Sequence, residues 1–476
     1  MGVPSPAFQD RIVQALADEH LRVALDRATR QFAVRREAVF ATLPDAEAVR
    51  DQARAIRAHT IAHLDRYLEQ FTAAVEARGG HVHRAATAQE ACDLVVRLAQ
   101  QAGSPLVAKS KSMVTEEIGL NAALERAGLR VVETDLGEYI LQLAGERPSH
   151  LIAPAIHKRR EDVSALFQRH LGMPPTDEIE TMTATVRQAL RRVFLQAGLG
   201  VSGVNFGIAE TGTLVLVTNE GNGRMVTTVP PVHVAVMGIE RVVPTWEDAE
   251  VLLRVLARSA TGQVMTVYTS FLTGPRRAEE PDGPEALHVV LVDNGRSRWL
   301  GTPLEEALLC IRCGACLNVC PVYQAIGGHA YASVYTGPIG SIVTPMLMGS
   351  ERAELAFASS LCGACQVACP VRIHLPDLLL RWRQWTAGHL LPWWERLGLR
   401  LYAWTARHPR LWERAGRWAM ALLRRQADEG WIRQGKGPLA RWTASRDFPA
   451  PASTPFRRWW SGRGLRAEGR GPRAED

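Results

Sequence analysis

Seven of the eight cysteines in this 476-residue chain lie in two short runs, and these runs constrain the fold more than any other feature. The first, CIRCGACLNVCP at residues 310–321, has the spacing C-x2-C-x2-C-x3-C-P. The second, SSLCGACQVACP at residues 359–370, repeats that spacing with Ser359 in place of the first cysteine. One run is complete, and the other lacks its first thiol.

This spacing is the one with which bacterial-type ferredoxins hold cubane iron–sulfur clusters, and the cysteine before the proline binds the neighbouring cluster. That rule predicts that one cluster is held by Cys310, Cys313, Cys316 and Cys369. The second cluster then has three thiolates, from Cys320, Cys362 and Cys365. We expect [4Fe-4S] clusters at both positions. For the open corner of the second, Ser359, water, a partner residue or a [3Fe-4S] cluster all remain alternatives.

Structural zinc and disulfides fit these runs less well. Zinc sites usually pair cysteines across a longer spacer, whereas three thiols crowd into each turn here. Disulfides are expected in exported proteins, and residues 1–6 show no secretory signal. Cys92 stands apart in an amphipathic helical pattern and is predicted to be a buried free thiol.

The rest of the chain is predicted to be α/β in fold class. Residues 1–75 carry helical periodicity, 76–300 alternate strands with helices as in a parallel sheet, and 301–380 form the cysteine module. Residues 381–476 form a Trp/Arg-rich helical segment, expected to be disordered from about 430. Predicted strands begin near the following positions: 80, 105, 129, 150, 200, 213, 232, 263 and 287. Predicted helices include 176–197, 247–258 and 304–309.

Two loops of the α/β region are candidate ligand sites. Lys109, Ser110 and Lys111 follow a strand and open a helix, where basic groups and free amides can hold an anion. Carboxyl ends of parallel strands are common binding positions. Glu210 and Thr211 join two strands near a Gly-rich turn at 219–224. A ligand role and ordinary turn chemistry stay open for the first loop, and turn chemistry is favoured for the second and for the Gly-rich turn.

Charge is distributed unevenly. From Asp377 onward there are twenty Lys or Arg against nine Asp or Glu, and eleven of the thirteen tryptophans. Tryptophan and arginine alternating on helix faces favour packing against a partner over base stacking, so we expect no nucleic-acid partner. The uncharged stretch 313–350 holds prolines and glycines that exclude a spanning helix. We therefore expect a cytoplasmic protein with no membrane span, and leave open a peripheral membrane contact through the tail.

Several segments together resemble the lactate utilization protein B family. They are AKSKSM at 108–113, GIAETGT at 207–213, the first cysteine run with IGGH at 326–329 and GPIG at 337–340, and SSLCGAC at 359–365. The resemblance implies a LUD-type α/β domain with a fold like that of sugar-phosphate isomerases and CoA transferases, then a two-cluster ferredoxin-like module. It also implies action in L-lactate oxidation to pyruvate, with a second cysteine-rich iron–sulfur protein and a second LUD-domain protein as partners.

The favoured hypothesis is a non-catalytic electron-transfer component that relays electrons through its two clusters. The alternative is a redox-sensing or scaffold protein whose α/β domain binds a small anion. A nucleic-acid enzyme with iron–sulfur clusters is a third hypothesis, suggested by the basic tail alone. No nucleophile–base pair stands out, so the catalytic residues, if any, are not identified by the sequence.

Overall fold

The computed structural model describes residues 6–389, 391, 393–444 and 446–464. The chain divides into two compact units, residues 2–390 and a C-terminal unit from 391 onward. Among the helices of these described residues, none combines the length and apolar character needed to cross a bilayer.

Helices fill the first part of the larger unit. Asp18 caps the second helix by accepting a hydrogen bond from the backbone N–H of Leu21. Apolar residues recur at helical spacing along this helix, so Leu25 and Phe40 on one face are buried. The bounds are α1 Pro6–Ala17, α2 Glu19–Ala41, α3 Ala46–Ala62 and α4 Leu64–Glu76.

A six-stranded parallel sheet forms the centre of the α/β region, in the order β1-β10-β7-β4-β2-β3. The predicted parallel α/β sheet is therefore confirmed. Its strands are nearly continuous apolar runs, as expected where helices cover both faces. Their bounds are β1 His81–Ala85, β2 Leu106–Lys109, β3 Arg130–Glu133, β4 Leu199–Gly203, β7 Val232–Gly238 and β10 Ala286–Val292.

Helices cover both faces of this sheet. Val234 and Val236 of β7 pack on one face in the same core as Cys92, whereas Ala235 and Met237 pack on the other with α4. Cys92 is buried and free, as predicted. The helices are α5 Ala88–Gln101, α6 Met113–Glu117, α7 Leu120–Arg126, α8 Leu136–Ala144, α9 Arg160–Leu171, α10 Ile179–Gln196, α11 Asn222–Thr228 and α12 Trp246–Ala260.

A second, four-stranded sheet has the order β8-β5-β6-β9. It lies at the carboxyl ends of the main strands, because β4 leads directly into β5 and β7 leads through a 3-10 turn into β8. Its strands are β5 Phe206–Ile208, β6 Thr213–Thr218, β8 Val242–Val243 and β9 Tyr268–Leu272.

One predicted strand is absent, and another begins later than predicted. The segment at 150–153 is not a strand, because the His150 ring accepts hydrogen bonds from the backbone N–H groups of Ile152 (3.0 Å) and Ala153 (3.1 Å) and turns the chain. The strand expected from 263 begins only at Tyr268, since Asn219 binds the preceding loop through Gln263.

The cysteine module follows, and the helix predicted at 304–309 is a 3-10 helix at Glu305–Leu309. The last part of the low-charge stretch forms α15, which is buried from 337 to 346. Trp299 and Trp382 donate indole hydrogen bonds to its carbonyls. The α-helices are α13 Ala315–Asn318, α14 Pro321–Ile326, α15 Gly337–Met348, α16 Ala364–Ala368 and α17 Leu375–His389, with 3-10 helices at His329–Tyr331 and Ser350–Phe357.

The C-terminal unit holds helices and two-residue strands, and many of its tryptophans are exposed, among them Trp393 and Trp418. Its elements are α18 Trp393–Arg407, α19 Pro409–Arg424, β11 Trp431–Ile432, α20 Pro438–Thr443, β12 Phe448–Pro449 and α21 Phe456–Gly464. The predicted disorder beyond residue 430 stays a prediction, and its part from 465 to the end lies outside the described residues.

Candidate functional site

The two cysteine runs follow the same backbone path. Arg312 (φ 59°) and Leu361 (φ 58°) both take the left-handed conformation, which is uncommon for residues other than glycine. Gly314 and Gly363 follow at φ 76° and 83°, and each leads into a short helix. The sequence repeat is thus a structural repeat.

A serine hydroxyl takes the place of the missing thiol in this repeat. In the first run the backbone N–H of Arg312 donates to Cys310 Sγ at 3.4 Å. At the matching position of the second, the N–H of Leu361 donates to Ser359 Oγ at 3.1 Å. The serine hydroxyl therefore makes the hydrogen bond that the cysteine sulfur makes in the complete run.

Four thiols from both runs meet around one small cavity, lined among others by Cys310, Cys313, Cys316 and Cys369. The backbone N–H of Ile373 donates to Cys369 Sγ at 3.4 Å. Burial raises the pKa of Cys369 to about 11 and that of Cys313 to about 12. Such buried, mutually repelling thiols ionise together only when a cation compensates them, so these residues fit a metal cluster.

The remaining three thiols form a second group. Burial, followed by the negative charge of Cys320, raises the pKa of Cys365 to about 12, so the last cysteine of the first run lies beside the second run. Cys362 differs, because it is exposed and hydrogen bonds from the Ala364 backbone and the Ser360 side chain lower its pKa. The second group is therefore partly open to solvent.

A row of arginines on α3 binds backbone carbonyls of the second run and of residues beside both runs. Arg50 donates to the carbonyl of Cys369 (2.9 Å), Arg54 to that of Arg372 (2.6 Å) and Arg57 to that of Leu308 (3.1 Å). The three positions are four and three residues apart and so share one helix face. Our sequence reasoning missed this row, although the spacing at positions 50, 54 and 57 was a usable signal.

A buried ionic network anchors the first run to the α/β region. Arg296 forms a two-pronged pair with Glu117 (2.8 and 2.7 Å) and also binds Glu240 (2.6 Å). Tyr335 donates to Glu117 at 2.6 Å, and the guanidinium of Arg312 stacks on the Tyr335 ring at 4.3 Å. Burial alone would raise the pKa of Glu240, but the surrounding guanidiniums outweigh it and lower that pKa to about 2.

The Gly-Gly-His segment at 327–329 connects the module to the loop after α8. The N–H of Gly328 donates to Ser149 Oγ at 3.2 Å, and a Cβ on Gly328 would lie 1.7 Å from the Ser149 carbonyl oxygen. His329 Nε2 bonds the carbonyl of Arg147 at 2.8 Å. Only glycine fits this approach of the two backbones.

A cavity of about 400 Å³ lies at the carboxyl ends of the main strands, next to the first cysteine run. Ser110 and Lys111 of the first predicted loop line it, as do Ile311 and Arg312 from between two cysteines. The Gly-rich turn contributes Asn219, Glu220 and Asn222 to the same lining.

The other predicted ligand residues lie elsewhere. Lys109 is fully buried and paired with Glu116 (2.9 Å) and Glu133 (2.5 Å), so its charge is already compensated. Glu210 accepts from the backbone of Trp246, and Thr211 bonds Thr213, as in an ordinary turn. Within the part of the chain that the structure describes, none of Lys109, Glu210 and Thr211 lines the cavity.

Two family models match separate segments of the chain. A LUD domain model matches residues 68–292, and a 4Fe-4S dicluster domain model matches residues 306–373. A crystal structure of a DUF162 family protein from Deinococcus radiodurans aligns with 48% of this chain and 98% of its own at 16% identity, with a TM-score of 0.28.

Full-length relatives are much closer. Lactate utilization protein B from Bacillus licheniformis is 45% identical over 467 residues, covering 97% of this chain and 98% of the relative. The proteins of that name from Bacillus subtilis (45% over 467 residues) and Macrococcus caseolyticus (46% over 469 residues) cover the same shares. With a LUD domain, a 4Fe-4S dicluster domain and this similarity over nearly its whole length, the chain belongs to the lactate utilization protein B family.

Proposed function

We propose that this chain is the iron–sulfur electron-transfer subunit of a complex that oxidises L-lactate to pyruvate. The observation that carries the proposal is the meeting of cysteines from both runs around one cavity. The names of its relatives supply the metabolic context.

This arrangement supports a proposal of two cluster sites. Cys310, Cys313, Cys316 and Cys369 would hold the first cluster, and Cys320, Cys362 and Cys365 the second. When bound, such clusters supply one-electron transfer at potentials set by charge, hydrogen bonds and solvent exposure. Lactate oxidation releases two electrons, which two neighbouring one-electron centres can accept in turn.

The chain's own residues would define the surroundings of these sites. The buried α15 keeps water from the first site, and amide groups such as that of Arg312 donate to sulfur. The arginine row on α3 fixes the carbonyls on either side of the cysteines. Together these contacts hold the sulfurs in place and favour the negatively charged cluster.

Further parts of the proposal concern the setting of the subunit. We place it in the cytoplasm, where thiols stay reduced, with a second cysteine-rich iron–sulfur protein and a second LUD-domain protein as partners. The α/β domain would have the fold of sugar-phosphate isomerases and CoA transferases. The basic, Trp-rich C-terminal unit would contact a partner or a membrane surface.

Iron and acid-labile sulfide analysis with EPR on anaerobically purified protein tests the proposal. We expect roughly eight irons per chain if both clusters are cubanes and about seven if the second is a three-iron cluster. Addition of L-lactate with the co-purified partners should reduce the clusters. Stoichiometric zinc, or reduced protein without a paramagnetic cluster, would contradict it.

A second function is favoured by one observation, the cavity beside Arg312. In that case the α/β domain binds a small anion and the clusters report redox state. Cluster reduction that needs the bound anion but no partner protein would favour this function over electron relay.

A further inference from the structure

Two buried guanidiniums lie at the cavity, and one of them has unused hydrogen-bond donors. Arg312 is more than nine-tenths buried, and its Nε and Nη1 have no hydrogen-bond partner among the described residues. Its Nη2 is 3.8 Å from Glu240 Oε1, too far for a hydrogen bond. Arg241 Nε is at the same 3.8 Å from that oxygen.

The two buried acids nearest these guanidiniums are already largely occupied by a third arginine. Glu117 and Glu240 face Arg296, Arg241 and Arg312, and Arg296 already takes both Glu117 oxygens and one Glu240 oxygen. Arg57 adds another buried guanidinium, bound only to backbone carbonyls among the residues that the structure describes. Buried guanidinium nitrogens without a hydrogen-bond partner are costly, so Arg312 can take an anion in addition to the negative charge of the neighbouring cysteine sulfurs.

The cavity has the room and position to receive one. Its volume of about 400 Å³ falls in the usual range for small-molecule sites. Arg241 follows β7, Lys111 follows β2, and Arg312 enters from the cysteine run, so three separate elements bring cations to its wall. Lys111 uses one donor on the carbonyl of Ile152 (2.7 Å), which fixes its side chain at the cavity.

We propose that this cavity binds a small monocarboxylate through Arg312, Arg241 and Lys111. A carboxylate matches the planar guanidinium fork with two parallel hydrogen bonds. Asp135 and Glu220 line the same cavity and would repel a doubly charged phosphate. Asn222, whose buried amide oxygen has no partner in the described part of the chain, offers an acceptor for a hydroxyl on the ligand.

The position of Arg312 couples this site to the first cysteine group. It lies between Cys310 and Cys313, so an anion bound to it adds negative charge close to those sulfurs. Where the proposed cluster is present, carboxylate binding makes its midpoint potential more negative, and by linkage its reduction weakens carboxylate binding. Only this coupling rests on the proposed function.

Calorimetric titration of the anaerobic, iron-loaded full chain tests the site, with acetate, L-lactate, pyruvate and inorganic phosphate as probes. We expect saturable binding of carboxylates and at least ~10-fold weaker binding in Arg312→Gln and Arg241→Gln, from the loss of charge-assisted hydrogen bonds. Arg298→Gln, an exposed arginine outside the cavity, should bind like the wild type. EPR-monitored titration should show the potential shift with bound carboxylate.

Clear results would overturn the proposal. Absence of carboxylate binding in a protein with intact cluster signals would refute this site without affecting the proposed electron transfer. Equal affinity for phosphate would refute the ligand class. If the arginine variants lose iron, Lys111→Gln, at the half-buried cavity wall, is the decisive variant, and unchanged carboxylate affinity there would also overturn the proposal.

Discussion

The two cysteine runs share one backbone path but lie in different surroundings. In the first, three of the four cysteines are buried. Arg312, between Cys310 and Cys313, stacks on Tyr335 inside an ionic network. In the second, Cys362 is exposed and Ser359 stands where the first run has a thiol. The local motif sets the turn, whereas residues far away in the chain set how well each group of thiols is protected. We therefore expect a robust first cluster and a labile second one.

The largest expected effect comes from removing one thiol of each run. Cys316→Ala should lose about half the iron and lower the thermal midpoint, because a buried metal site contributes to folding free energy. The matched variant Cys362→Ala should also lose about half the iron but keep the EPR signal of the first cluster. Iron analysis, EPR and thermal unfolding distinguish the two. Identical destabilisation by both variants would contradict the expected difference in protection between the two groups of thiols.

Breaking the anchor of the first run should have the next largest effect. Arg296→Gln leaves Glu117 and Glu240 buried without their main partner, which should lower the free energy of unfolding by about 3–5 kcal/mol. Arg298→Gln, on the exposed side of the same turn, should stay within about 0.5 kcal/mol of wild type. Urea titration followed by tryptophan fluorescence measures both.

The same experiment has a predicted pH dependence. The pKa of Glu240 is lowered to about 2 in the folded protein, against about 4.3 in an unfolded chain. Its contribution to stability is therefore complete above that unfolded value and is lost as the pH falls toward 2. Arg296→Gln should remove most of this acid-side loss, and an unchanged acid profile would contradict the role assigned to the network.

The smallest expected effect comes from changing the side chain of Ser359, which stands where the first run has a thiol. Ser359→Cys restores the thiol that the repeat lacks, so iron loss from the second cluster in air should slow several-fold. Ser359→Ala removes the hydroxyl and should not slow it. Time-resolved iron release with a chromogenic chelator gives the rates. Equal rates for the cysteine and alanine variants would show that the side chain at this position does not reach the cluster.

The sequence was most informative where the signal was local. The cysteine spacing predicted both runs, and apolar runs predicted the strands of the parallel sheet. It failed at His150, where a side chain captures the backbone amides that a strand would use. That competition depends on geometry that a run of apolar letters does not reveal.

Long-range pairing was outside the reach of sequence reasoning. The sequence made Lys109 a candidate anion ligand. In the structure the neighbouring strand places Glu133 at 2.5 Å from the Lys109 amine, so the charge is already paired. Nothing in the sequence singled out Arg312, which takes a left-handed backbone conformation and lines the cavity. Both outcomes depend on residues far away in the sequence.

The arginine row on α3 has a consequence for how the protein is made. Arg50, Arg54 and Arg57 leave the ribosome early, yet their partners lie up to 319 residues later in the chain. Domains generally begin to fold from the N-terminus during synthesis, but this helix cannot complete its contacts until Arg372 has been translated. Closure over the cysteines thus waits until the second run has been synthesised, and iron delivery has an open interval before it.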